Sequence, residues 1–282
     1  MNTPLMATLA EQLDKGLIVP YLGPGMLALC PEAPVPATPL ALAELMTSQV
    51  SVPHKIRKRL TQAAQFIENF KHRKSVVHLM NQAFAAPTTP SALHLALARS
   101  NAGLLVDGWY DDTLATALAQ VRPEGGWLQL QGLSQSEHFG HWTGAYAANG
   151  EFLPQAPGGA QPILYKPIGA HAPAGNYLVS DSDYVEVLTE IDIQTPIPAA
   201  VQAWRSGRHF LFLGCRFDDQ LTRSFARQIM KRSSAQHWAV LPDEPTRMEA
   251  RFLQEQGITR IAQPLASFAA GLVEALQDTA TA

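Results

Sequence analysis

Apolar residues along this chain come in two formats, short unbroken runs and longer stretches with helical spacing. The first run, Leu-Ile-Val-Pro-Tyr-Leu over 17–22, ends on Gly23, Pro24 and Gly25. Further runs at 103–106, 127–130, 163–166, 210–213, 238–241 and 258–261 are bounded by turn residues, and their length predicts buried strands. Helical spacing predicts helices over 1–16, 40–50, 56–70, 75–84, 91–100, 111–121, 182–190, 197–205, 218–231, 246–256 and 265–276. Leu60, Ala63, Ala64, Ile67 and Phe70 set the pattern, with an apolar stripe on one helix face. Residues 132–162 are the least regular part.

Strands alternating with helices predict an α/β, Rossmann-like, doubly wound parallel sheet with helices on both faces. Residues 38–90 are nearly all helical and are expected to form an inserted helical subdomain within a single domain spanning 1–282. A strand that runs into glycines is the arrangement by which such folds bring backbone N–H groups to a phosphate. A tight turn in which glycine only relieves steric crowding is the competing explanation for Gly23 and Gly25, and Pro24 has no N–H to offer.

Composition narrows the function classes. Hydrophobic residues at 46% against 16% charged describe a chain with a large core. The formal charge of −3 gives no reason to expect nucleic acid or an acidic membrane surface as partner. Basic stretches at His54, Lys55, Arg57, Lys58, Arg59 and at Lys71, His72, Arg73, Lys74 are expected to be solvated helix ends. Cys30 and Cys215 are too few for a four-thiolate zinc site and suit a reducing compartment. The first residues lack the basic-then-apolar plan of a signal peptide, and no apolar run reaches the ~20 residues of a membrane span, so a cytoplasmic location is expected.

The order of several short motifs resembles the sirtuin-related SIR2-like family, and in particular its bacterial SIR2-like domains. Tyr21-Leu-Gly-Pro-Gly-Met26 resembles the family's glycine-rich first loop, and Gln65-Phe-Ile-Glu68 a helix pattern found in it. The segment 104–114, containing Asp107-Gly-Trp-Tyr-Asp-Asp112, looks like the family's Thr-Thr-Asn-Tyr-Asp-Asp element. Tyr165-Lys-Pro-Ile-Gly169 falls where the family has Lys-x-His-Gly, followed by Asp181-Ser-Asp-Tyr184 and then Phe212-Leu-Gly-Cys-Arg-Phe-Asp218. By this resemblance Gly23, Pro24, Gly25, Met26, Asp111, Lys166, Gly214 and Cys215 are candidates to contact NAD or an ADP-ribose-type nucleotide.

The departures from the family bear on activity. The resemblance places a catalytic Asn where this chain has Trp109 and a general-base His where it has Ile168. Indole cannot supply an amide's donor and acceptor, and an alkyl group moves no proton. The expectation is therefore a catalytically degenerate pseudoenzyme, either sensing an NAD-type nucleotide or serving as a scaffold. An active NAD+ glycohydrolase is the alternative, a deacylase less so because the zinc module has no cysteines, and an unrelated Rossmann protein with another cofactor a third. A protein partner, as homo-oligomer or hetero-complex, is expected.

Structural readings stand beside the functional ones. Asp111, Asp112 and Asp218 are expected as helix N-caps, Cys215 as a buried thiol, and His138, His141 and Glu137 as histidine-loop residues without a third metal-ligand cluster. Lys166 points either to solvent or to a nucleotide. His171 could replace the missing base only if its loop rearranges.

Overall fold

A computed structural model describes residues 3–123, 126–155, 161–190 and 197–281. Its strands are β1 (Ile18–Leu22), β2 (Leu104–Asp107), β3 (Leu128–Gly132), β4 (Thr143–Ala147), β5 (Phe152–Leu153), β6 (Ile163–Lys166), β7 (Gly169–Ala170), β8 (Asn176–Tyr177), β9 (His209–Leu213), β10 (His237–Val240) and β11 (Ile258–Ile261). The helices are α1 (Thr3–Asp14), α2 (Pro39–Gln49), α3 (Leu60–Lys71), α4 (Arg73–Phe84), α5 (Ala92–Arg99), α6 (Thr113–Val121), α7 (Asp181–Glu190), α8 (Ala199–Arg205), α9 (Gln220–Met230), α10 (Arg247–Glu255) and α11 (Leu265–Thr281).

Nine strands form one sheet in the order β11-β10-β9-β1-β2-β6-β3-β4-β5, and β7 and β8 form a separate small hairpin. From β11 to β3 every pairing is parallel, in register Tyr21 to Val106 and Tyr21 to Phe212 around the central strand. Pro20 lies inside that strand, and the ladder to β2 opens only at Tyr21, just beyond the residue without an N–H. The expected sheet is present, with one addition. β4 and β5 extend it antiparallel, within the stretch that carried no regular pattern, because Thr-Gly-Ala-Tyr-Ala is too short and small to register as an apolar run.

Side chains of successive strand residues go to opposite faces, so each strand feeds two cores. Val19, Tyr21, Val106, Phe210 and Phe212 join a core with α2, α3, α4 and α9. Ile18, Leu22, Leu105, Leu211 and Leu213 join the other, with α1, α5, α6 and α11. The helices of the 38–90 stretch thus bury Leu42, Met46, Ile67 and Met80 in the same core as one face of the sheet. The predicted helix over 56–70 divides into a 3-10 turn at His54–Ile56 and α3 from Leu60. Among the described residues no helix is long and apolar enough to cross a membrane.

Helix ends depart from expectation at two places. Asp219, not Asp218, caps α9, its carboxylate accepting the Leu221 N–H. At α6 the N-cap position is Asp112, but its side chain makes no cap. Asp111 does the local work instead, accepting the Thr113 N–H at 3.0 Å and the Thr113 hydroxyl.

Candidate functional site

The C-terminal ends of β1, β2, β6 and β9 open on one edge of the sheet. The chain leaves β1 toward β2 on one side and returns on the other through β9, so strand order reverses at β1, where open α/β sheets place ligands. Every candidate from the sequence lies on or near this edge: the 23–26 turn, Trp109 and Asp111 after β2, Lys166 and Ile168 at β6, and Gly214 and Cys215 after β9.

The two glycine turns meet each other. Gly23 donates its N–H to Leu213 O at 2.9 Å, Gly25 to Gly214 O at 2.9 Å, and Met26 to Gly23 O at 3.1 Å. Gly214 has φ +64°, and a Cβ there would lie 2.4 Å from Met26 N. A Cβ on Gly25 would lie 2.8 Å from Gly214 O. These glycines are therefore required by close backbone approach and left-handed geometry. Pro24 starts a 3-10 turn, Pro24–Leu29, and Met26 is buried in the core shared with α1, α5, α6 and α11. The Cys215 thiol is also buried, pointing at Tyr21 O at 3.5 Å, and burial raises its pKa well above the ordinary thiol range. Burial thus favours its protonated form, the less reactive one.

Beside this seam lies a buried ion pair. Lys166 Nζ sits 2.6 Å from Asp107 Oδ2 and donates to Asp111 O at 2.7 Å, while Trp109 N–H donates to Asp107 Oδ1 at 3.1 Å. Lys166 is 1% exposed, so it faces neither solvent nor an open cleft. Burial pushes the Asp107 carboxyl up to about 7, against the opposing pull of the Lys166 ammonium. Asp107 was legible only as a departure from the family's Thr; nothing in the sequence marked it as the partner of Lys166.

His94 lies behind this pair on α5, forming a capping box with Ser91, whose Oγ is 2.8 Å from its Nδ1. Burial holds its imidazole down at about 4. The neutral form is thus the folded form, and its contribution to stability is complete above the unfolded value of about 6.5 and is lost as pH falls toward 4. Asp107 titrates in the opposite sense over the same range, so the imidazole's share is read against a variant. His94→Gln keeps a capping-box side chain without the titration, and the parent's Tm is expected to fall relative to the variant's between pH 7 and 4.5. Parallel slopes for the two proteins would refute the assignment.

Trp109 is 3% exposed, its ring 5.0 Å from Tyr110 and edge-on to Phe84 at 6.0 Å. Its Nε1–H donates to Pro36 O at 2.8 Å, tying down the proline-rich loop that follows the glycine turn. Ile168 is buried in the same core, its carbonyl accepting from Leu178 N–H at 2.9 Å. His171 does reach a carboxylate without any rearrangement: its Nδ1 is 2.9 Å from Asp112 Oδ2, and its N–H is held by Tyr110 O at 2.9 Å.

A second polar centre holds the helical stretch to the site. Arg73, expected in a solvated basic end, is instead largely buried, its guanidinium 2.9 Å from Asp183, 3.0 Å from Glu137 and 3.3 Å from Glu68, with a further bond to Tyr177 O. The resemblance motifs meet here, since Ser182 N–H donates to Gln65 Oε1 at 2.7 Å. The residues His54, Lys55, Arg57, Lys58 and Arg59 are exposed as expected. His138 Nε2 is 3.0 Å from Asn176 Oδ1, and among the described residues no group of three His, Cys, Asp or Glu is placed to hold a metal.

A family profile described as SIR2-like domain matches residues 103–261, from β2 to β11 and more than half of the chain. The chain belongs to the SIR2-like family. The match includes Trp109, Lys166, Ile168, Gly214 and Cys215, while β1 and its glycine turn precede it. No curated protein matches the sequence. A nucleotide of the NAD type is what a sirtuin-related fold implies. In this SIR2-like chain the Gly23, Gly25 and Met26 amides already have carbonyl acceptors and Pro24 has no N–H, so the turn as placed does not fit a pyrophosphate.

Proposed function

We propose that this SIR2-like protein is a catalytically degenerate scaffold whose nucleotide cleft is filled by its own side chains. The observation that carries this reading is Trp109. Its indole stands where the family resemblance puts the catalytic amide, packed against Tyr110 and Phe84 and bonded to Pro36 O. Ile168, in the general-base position, is buried in the same core and has no proton to move. The glycine seam and the Asp107–Lys166 pair support the reading from the other side, since their polar groups are used within the protein. Such a domain acts through the surfaces it presents, with a protein partner or a second copy as the expected occupant.

The test is nicotinamide release from NAD by the unmodified protein, compared with a heat-treated sample. No release above the control is expected, and clear turnover would overturn the proposal. One observation favours the second reading, an active NAD+ glycohydrolase: the half-exposed His171 is paired with Asp112 at 2.9 Å, as a general base would be. In that reading release occurs and His171→Ala abolishes it, typically by about 10²-fold or more.

A further inference from the structure

The N-terminal ends of β10 and β11 form another edge of the sheet, and there the surface departs from the chain's slightly acidic average. A groove of about 520 Å³ runs between the end of α9, the 231–236 turn and the start of β11. Arg227, Lys231, Arg232, Ser233, Ser234 and His237 line it, and Glu255 is the acidic residue among its described lining. That volume lies within the range of small-molecule sites.

The groups are arranged for an anion. Arg227 lies in the last turn of α9, Lys231 ends that helix, and Arg232 follows directly. The Arg227 guanidinium is steadied over the Phe252 ring, 5.9 Å from its centroid. His237 accepts the Phe210 N–H on Nδ1 at 2.9 Å, so its ring proton sits on Nε2, which faces Ser233 Oγ at 3.4 Å. Both hydroxyls are bonded within the protein, Ser234 Oγ donating to Gln236 O at 3.1 Å and Ser233 Oγ to Ser234 O at 3.5 Å, and His237 is buried, so these groups form a polar floor beneath the cations. Arg232 holds φ +66°, a left-handed conformation that glycine would adopt without strain. A long cation kept there in place of glycine is local strain of the kind that marks binding sites. Glu255 is itself engaged by Arg251 at 2.6 Å and by Arg227 at 3.9 Å.

We propose that this groove binds the diphosphate of a small molecule of the nucleoside diphosphate class. Guanidinium groups match phosphate oxygens in forked pairs, and adjacent phosphoryl groups present enough charge to engage Arg227 and Arg232 together. The rest of the groove, about 520 Å³ in all, admits the nucleoside. This site is separate from the closed cleft, and nicotinamide release plays no part in its readout.

Calorimetric titration at low salt with inorganic pyrophosphate and with ADP tests it. Arg232→Gly removes a cation while relaxing the backbone, so the variant is expected to unfold no earlier than the parent and to bind pyrophosphate about tenfold more weakly. Glu255→Gln is expected to tighten binding severalfold. The double variant Lys55→Glu and Lys58→Glu, on the other exposed basic stretch, is expected to change affinity by less than about twofold. Absence of binding to the parent would overturn the proposal. So would equal weakening by the Lys55 and Lys58 changes, or single-stranded RNA displacing ADP through the same arginines more strongly than pyrophosphate does.

Discussion

Replacing Asp183 with alanine is expected to lower stability by about 4 kcal/mol and Tm by roughly 10 °C. The Asp183 side chain is fully buried and serves four donors at once. It accepts from Arg73 at 2.9 Å, from the Val179 and Ser180 N–H groups at 2.8 and 2.9 Å, and from Ser134 Oγ at 2.5 Å. Truncation strands two buried amides, each costing about 1–3 kcal/mol, and breaks a buried ion pair. Glu137→Gln removes a carboxylate on the half-exposed side of the same guanidinium, at 30% exposure, and is expected to cost less than about 1 kcal/mol. Thermal or urea unfolding of the two variants checks the contrast, and equal losses would show that burial does not set the energetics of this centre.

Replacing Lys166 with methionine is expected to destabilise the protein by about 3–5 kcal/mol at pH 8, because Asp107 is left as an uncompensated buried charge. The penalty has a defined pH dependence. With Lys166 present, burial already places the Asp107 carboxyl up at about 7, and without it the shift goes further up. A carboxyl whose folded value exceeds its unfolded value contributes most to stability below about 4 and loses that contribution as pH rises through the folded value. The variant's deficit should therefore be large at pH 8 and shrink toward pH 5, as Asp107 takes up a proton. Combining Lys166→Met with Asp107→Leu should recover most of the loss, since an apolar pair replaces the ionic one. A deficit independent of pH would contradict the pairing.

The parts of this architecture visible in the sequence are those with local causes. Unbroken apolar runs gave the parallel strands, and helical spacing gave α3, α6 and α9 to within a few residues. The antiparallel β4 and β5 were not legible, because pairing partners rather than their own apolar content define them. Six motifs in order pointed to the SIR2-like family, and the match over 103–261 bears that out. The roles of individual residues were harder to see. Lys166 could be marked as a candidate but its partner Asp107 could not, since 59 positions separate them and only the β2–β6 pairing brings them together. Arg73 looked like one charge in a basic run, and its burial depends on Asp183, 110 positions away. The stretches 156–160 and 191–196, where the sequence predicted loop and connection, lie outside the described residues.

The most direct test of a filled cleft is thermal unfolding with and without NAD in the Arg232→Gly, Arg227→Glu background, where the basic groove no longer contributes. A closed cleft predicts an unchanged Tm at millimolar NAD. A rise of roughly 5–10 °C, as saturation at one hundred times the dissociation constant gives through about 2.7 kcal/mol, would place a nucleotide at the edge that Trp109 is held to fill and contradict the account.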